Sequence, residues 1–207
     1  MGILRYGSSD PYRPQGWQVD IEGASQPRLD LLESLDLQAA DFRFGVPLTY
    51  GRGPYEMKLA YYHISSHLGD EIMLKHPDEV TRINYSRDAI VWGHSYYLVE
   101  MLRLYGEVAW AFHIDGGDQP WEFQFGMEYS PDGPTRDGAV PFVAINAHLR
   151  EAVDFGGNVT VQTGWLWRGP SGRMFRLGMQ YLYGKSDQYE FFRRNEDKLG
   201  LGIWIDY

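Results

Sequence analysis

Apolar and polar residues alternate with a period of two along most of the chain. In WEFQFGMEY, residues 121–129, every second position from Trp121 to Tyr129 is apolar, and Glu122 and Glu128 lie between such positions. A period of two places successive side chains on opposite faces of a β-strand, whereas the helical period of about 3.6 residues is nearly absent. The pattern therefore predicts an all-β protein.

Strand-like segments recur, and turn-rich pieces such as GRGP, DGGDQP, SPDGP and FGGN separate them. The segments are roughly 9 to 12 residues long, about ten of them are well supported, and GILRYG at residues 2–7 is an incomplete one. Neighbours in sequence are expected to pair antiparallel. The pattern predicts an antiparallel up-and-down β-barrel of about 10–12 strands, with residues 1–207 forming a single domain.

The face that the apolar residues occupy distinguishes two kinds of barrel. A soluble barrel buries its apolar face, whereas a membrane barrel turns that face outward to lipid. The apolar faces here are long enough to cross a bilayer as tilted strands, and the opposite faces carry charged residues such as Arg43, Glu107 and Arg176. Aromatic residues gather near strand ends, and the final segment GLGIWIDY ends on Tyr207. These features predict a transmembrane barrel of the bacterial outer membrane with membrane lipid as its partner; a soluble, aromatic-rich barrel is the alternative.

Composition excludes several other classes of protein. The formal net charge is -9 and Lys and Arg form no cluster, so we expect no nucleic acid as a partner. The absence of cysteine excludes disulfides and thiolate metal sites. No apolar run reaches the length of about 18 residues that a transmembrane helix needs. The start MGILRYGSSDPYRP lacks the features of a signal peptide and lies almost inside a strand-like segment, so we expect that an N-terminal segment is missing.

Segments along nearly the whole chain resemble one known family. They include LRYG, VPLTYGRGP, YYHISSHLGDE, RINYSRD, LRLYGEVAWAF, PWEFQFGMEYSP, VDFGGNVTVQTGWLWRG and GLGIWIDY. The family is the one catalogued as domain of unknown function 1207. The resemblance supports the fold and implies no particular chemistry, and its members look longer at the N-terminus.

The stretch YYHISSHLGDE, residues 61–71, carries the candidate chemistry. A strand over 55–67 places His63 and Ser65 on the same face as Met57, which belongs to the apolar stripe. Residues two apart on a strand have Cα atoms roughly 6.5 to 7 Å apart, so an imidazole can reach the serine hydroxyl and act as its general base. We therefore expect a catalytic pair that points outward to lipid near the outer leaflet.

The His-x-Ser arrangement is similar to that of outer-membrane phospholipase A and of the lipid A deacylase barrels. The similarity implies an acyl-ester hydrolase that acts on outer-leaflet lipid, with a third polar residue on the neighbouring strand orienting the histidine. In RINYSRDAIVWGHSYY, Ile90 and Trp92 mark the lipid face, so Asn84 and Asp88 point to the same side. Asn84 matches the orienting asparagine of the phospholipase and Asp88 suits a His–Asp pair; without the strand register both remain open.

The loop after the candidate strand contains a candidate cation site. Asp70 and Glu71 offer the carboxylate oxygens that Ca²⁺ prefers, and calcium assists the barrel phospholipase. His94, His113 and His148 show no partner pattern, and we expect them to be structural.

The same fold also supports a second interpretation without catalysis. A non-enzymatic outer-membrane barrel, either a narrow channel or a structural protein, requires only the lumen or the outer loops. A lumen built from about ten to twelve strands is small enough for bulky side chains to fill, which argues against open conduction.

Overall fold

A computed structural model describes residues 1–8, 10–32, 34–78, 80–135 and 138–206, so Tyr207 lies outside the described residues. It confirms the all-β prediction, because twelve antiparallel strands form one sheet. The strands are β1 (Gly2–Gly7), β2 (Gly16–Asp20), β3 (Glu22–Asp30), β4 (Asp36–Arg52), β5 (Tyr55–Leu68), β6 (Ser86–Val99), β7 (Leu102–Asp115), β8 (Trp121–Tyr129), β9 (Val140–Arg150), β10 (Gly156–Arg168), β11 (Met174–Lys185) and β12 (Asn195–Asp206).

Strands β4 to β12 each pair with the next strand along the chain, which is the predicted meander. At the other edge, β3 pairs with residues 36–45 of β4, and β2 pairs with residues 48–51 of the same strand. Strand β1 pairs with β2. The two ladders on β4 are interrupted at Val46 and Pro47. Proline has no N–H to donate to a ladder, so Pro47 suits this break.

Among the described residues, helical structure is confined to three short pieces. The helix α1 spans Asp70–Lys75, in the connection between β5 and β6, and 3₁₀ turns span Glu151–Val153 and Tyr189–Phe191. Within the described ranges, no helix has both the length and the apolar character needed to cross a membrane.

The two faces of the sheet differ as the alternation predicts. On β5, the side chains of Ala60, Tyr62 and Ile64 are buried, whereas Leu59 and His67 on the opposite face are exposed. Large apolar side chains are exposed on the same outer face of most of the other strands. The inner face therefore combines polar and small residues with some larger apolar ones, whereas the long apolar stripe lies outside.

The sheet curls so that its two edges approach each other. Arg28 on β3 forms an ion pair with Glu196 on β12, and the Gln188 side chain donates to the Gln26 carbonyl at 2.9 Å. In the described part of the chain, no backbone ladder joins β12 to β1 or β3. The sheet is thus not closed by backbone pairing, and side-chain contacts bridge this seam.

Each end of the barrel is covered by a connecting segment. At the lower end, which carries the turns at 53–54, 100–101 and 169–173, residues 10–15 cross the opening. There, Arg13 pairs with Asp132, and the Tyr12 hydroxyl donates to the Pro170 carbonyl at 3.2 Å. At the upper end, the cap loop (residues 186–194) folds over the opening and buries Phe191 and Phe192.

Buried charges hold the upper end together. The Arg87 side chain is 0% exposed, and its Nη1 lies 2.8 Å from Asp118 Oδ2 and 3.0 Å from Glu122 Oε1. Arg150, also buried, donates to the carbonyl of Ser186 at 2.9 Å and so anchors the cap loop. A buried charge is tolerated only when it is paired and hydrogen-bonded, so these contacts are required for the fold.

Replacing Arg87 by methionine tests this requirement. Arg87→Met leaves Asp118 and Glu122 buried without their cation, and we expect a loss of about 3–5 kcal/mol of unfolding free energy. Arg82→Met, at an exposed position, serves as the control. Equilibrium unfolding in urea measures the unfolding free energy of both variants. Equal urea midpoints of unfolding for the two would contradict a structural role for the buried ion pairs.

Candidate functional site

The predicted catalytic histidine pairs with an aspartate on the neighbouring strand. The β5–β6 register places His63 directly opposite Asp88, and His63 Nδ1 lies 3.0 Å from Asp88 Oδ1. The two side chains are 40% and 18% exposed and lie on the outer face of the sheet. A carboxylate at Nδ1 fixes the orientation of the imidazole and leaves Nε2 available to a further group.

Tyr61 holds the aspartate from the same face. Its hydroxyl donates to Asp88 Oδ1 at 2.6 Å, and its ring stacks near Phe112 with 6.3 Å between centroids. Asp88 therefore accepts hydrogen bonds from two side chains of β5, at positions 61 and 63. This limits the rotamers available to Asp88 and pre-organises the His63–Asp88 pair.

Ser65 follows His63 on the outer face of β5, where it is half-buried opposite Ser86 and Phe42 on the neighbouring strands. Among the described residues, no hydrogen bond joins Ser65 to His63. Contacts between nucleophile and base are often loose without substrate and tighten in the reacting complex. The structure thus brings His63 and Asp88 together and leaves Ser65 two residues away on the same face.

Asn84, the other orienting residue considered from the sequence, lies outside the ladder. The last pair between β5 and β6 is Ser65 with Ser86, and Asn84 precedes that pair in an exposed connection. Its φ of 50° places it in the left-handed region, which asparagine tolerates better than most residues. In the described structure the partner of His63 is Asp88, and no contact links Asn84 to the pair.

A β-bulge adds a second histidine to the site. The β6–β7 register pairs Asp88 with His113 and then Ala89 with Ala111, which leaves Phe112 as the extra residue. Phe112 and His113 are both exposed, and His113 Nε2 lies 3.7 Å from Asp115. Bulges occur often beside active sites, where they redirect a side chain. Sequence reasoning found no partner for His113, because a bulge cannot be recognised from alternation alone.

Asp70 and Glu71, the candidate calcium ligands, lie in the first turn of α1 and are exposed. Within the described ranges, no three His, Cys, Asp or Glu side chains are grouped so that they could hold a metal ion. The calcium site stays a prediction, and both carboxylates have an alternative role because acidic residues are favourable at a helix N-terminus.

The interior contains a second polar cluster, below the cap loop. Tyr62 donates to Glu122 Oε2 at 3.1 Å, and His148 Nε2 lies 3.4 Å from the same oxygen. Burial raises the pKa of the Tyr85 and Tyr189 hydroxyls, so both stay protonated at neutral pH. The cluster is buried and tightly packed, although the Tyr85 hydroxyl and His148 Nε2 have no hydrogen-bond partner among the described residues. Its position behind the cap loop suits a structural role more than a reactive one.

Glycines on the inner face let side chains from the two flanking strands meet. Gly93 on β6 is opposite Lys58 on one side and Glu107 on the other, and the Lys58 Nζ and Glu107 Oε1 atoms lie 2.5 Å apart. A Cβ on Gly93 would come within 2.9 Å of the Glu107 side chain. The ion pair therefore crosses over a strand that carries no side chain at this point.

Comparison with known proteins identifies the family of this chain. The family model described as Protein of unknown function (DUF1207) matches residues 13–207. No curated protein and no solved structure matches the chain. The family resemblance seen in the sequence is confirmed.

Proposed function

The chain belongs to the DUF1207 family, and we propose that it is an integral β-barrel of the bacterial outer membrane whose outer face carries an acyl-ester hydrolase site. The observation that carries the proposal is the placement of the His63–Asp88 pair, with Ser65 beside it, on an apolar outer face. A soluble esterase would instead hold such residues in a cleft, where a water-soluble ester can enter.

The exposed apolar surface supports a membrane location. On β12, Leu199, Leu201, Ile203 and Ile205 are each more than 60% exposed. Contiguous apolar surface of this kind is rare on soluble monomers, whereas a membrane barrel turns it to lipid. The paired charges inside are equally typical of a membrane barrel, whose interior is polar.

The height of the site matches its proposed substrate. His63 is the ninth residue of β5, counted from Tyr55 at the lower end. In a strand tilted by about 45°, that places it roughly 20 Å above the lower turns, towards the far side of a hydrocarbon core about 30 Å thick. Since outer-membrane barrels have short periplasmic turns, the lower end is the periplasmic one, and the site lies near the outer leaflet.

The proposed chemistry is a two-step acyl transfer. His63 Nε2 takes the proton of Ser65 as Oγ attacks the ester carbonyl carbon, and Asp88 stabilises the imidazolium that forms. The lipid alcohol leaves with that proton, and an acyl-serine remains. Water then attacks the acyl-serine with His63 again as base, which releases the fatty acid and restores the serine.

A pair of arginine substitutions on β11 tests membrane insertion. Met179 and Phe175 lie on the same outer face and are about equally exposed, at 44% and 39%. In a bilayer, Met179→Arg falls near the midplane and is expected to cost about 2–4 kcal/mol, whereas Phe175→Arg near the interface costs about 0–1 kcal/mol. Urea unfolding from lipid vesicles measures the difference.

In a soluble protein, the two arginines would meet water alike and their effects would be equal. Equal effects in vesicles would therefore contradict the membrane proposal.

Hydrolysis of phospholipid and of lipid A in mixed micelles tests the enzymatic proposal. We expect Ser65→Ala and His63→Gln to lower fatty-acid release by roughly 10³-fold, and Asp88→Asn by roughly 10²-fold or more. Ser86→Ala, which removes the neighbouring hydroxyl on β6, should retain activity. Labelling of the serine by a fluorophosphonate should depend on the same residues.

Hydrolysis of each substrate is measured with calcium and with a chelator. The double variant Asp70→Asn/Glu71→Gln then shows whether any effect of calcium on hydrolysis involves those two carboxylates. Correctly folded protein that releases no fatty acid from either lipid would remove the hydrolase proposal and leave the non-enzymatic barrel.

A further inference from the structure

The described residues line two cavities of the barrel interior that an ion pair separates. The lower cavity is about 440 Å³ and the upper one about 470 Å³, within the range of about 300–1,000 Å³ usual for small-molecule sites. Lys58 and Glu107 contribute to the walls of both cavities. The pair that crosses over Gly93 therefore divides a longer interior space, and the upper part ends at Tyr189 beneath the cap loop.

Most charged groups of the upper cavity are paired with an opposite charge, and Asp41 and Arg150, which form no ion pair within the described residues, are hydrogen-bonded to the cap loop. Besides Lys58 with Glu107, Arg43 pairs with Glu22 at 3.0 Å, and Glu122 pairs with the buried Arg87. A charged ligand would have to displace one of these partners or remain unpaired in the cavity, and either is costly. The cavity therefore favours an uncharged ligand.

One wall of the upper cavity consists of uncharged polar side chains. Four of them form the amide wall, which runs across adjacent strands β8 to β11: Gln124, Asn146, Thr160 and Gln180. The register brings Asn146 directly opposite Thr160 on β10. It also brings Gln124 directly opposite His148, which lies two residues after Asn146 on β9. Amides and hydroxyls offer both donors and acceptors, which is the combination that hydroxyl groups of a ligand require.

Two members of the amide wall are without partners. Neither Gln124 nor Thr160 forms a side-chain hydrogen bond within the described part of the chain, although Gln180 bonds Gln162 and Asn146 bonds Tyr105, each at 2.7 Å. A half-buried amide and a hydroxyl on the same wall can bind a ligand without first breaking an internal bond. Tyr62, on the opposite side of the cavity, adds aromatic surface.

We propose that the upper cavity binds a small, uncharged, polyhydroxyl solute such as a mono- or disaccharide. The site lies inside the barrel, whereas the His63–Asp88 pair lies outside, so the proposal is independent of the hydrolase. Hydroxyl groups bind the amide wall, and the charged groups, each already engaged with a partner inside the barrel, disfavour anionic and cationic analogues.

Titration calorimetry on the full chain in detergent tests the proposal with glucose and maltose, and with glucuronate and glucosamine as charged comparators. Saturable binding of at least one neutral sugar is expected, with weaker or no binding of the charged pair. Gln124→Leu and Thr160→Val should each weaken it roughly three- to tenfold, by the loss of one hydrogen bond.

Strand β10 supplies a matched control. Thr163→Val makes the same chemical change on the outer face, where Thr163 is exposed, and should leave binding unchanged. Thr160→Ser keeps the hydroxyl and should bind the sugar as the unsubstituted chain does. This variant distinguishes the loss of the hydroxyl from a general effect of substitution on folding. No saturable binding of glucose or maltose by folded protein, tighter binding of a charged sugar, or equal losses at positions 160 and 163 would each overturn the proposal.

Discussion

The polar interior of this barrel can exist only because its charges are paired across strands, and most other features of the structure follow from that constraint. Arg87 lies between Asp118 and Glu122, and Lys58 reaches Glu107 over Gly93. Each pair joins strands or loops that are not neighbours in sequence, so the pairs stabilise the curvature of the sheet as well as the charges. Glycine at the intervening position is part of the arrangement, since a side chain at position 93 would meet Glu107.

With polar groups directed inward, the apolar face has to point outward, and the candidate site stands out against it. His63, Asp88 and Ser65 are polar residues within an apolar surface, near the end of the barrel that the cap loop covers. Because the two faces are separate, the proposed hydrolase site and the proposed sugar site lie on opposite sides of the sheet. In the proposed membrane setting, lipid would reach the outer face, whereas only a solute that enters the lumen would reach the amide wall. A single antiparallel sheet can thus carry an outer site and an inner site that share no residue.

The alternation of residues was sufficient to predict the sheet, the meander and the face of each side chain on β5. It did not predict β2 and β3, because GWQVD and EGASQPRLD are short, polar and interrupted by Pro27. The choice between Asn84 and Asp88 needed the strand register, and alternation does not contain it. Two further features depend on tertiary structure alone: the bulge at Phe112, and the cap loop that Arg150 anchors.

The central claim is that the apolar outer face meets lipid, and tryptophan fluorescence tests it most directly. Five of the seven tryptophans are exposed, namely Trp17, Trp92, Trp110, Trp121 and Trp165. After refolding into vesicles of phospholipids brominated at successive depths along the acyl chain, we predict strong quenching that varies with bromine depth. Fluorescence that is the same in brominated and unbrominated vesicles, from folded protein bound to both, would contradict the claim.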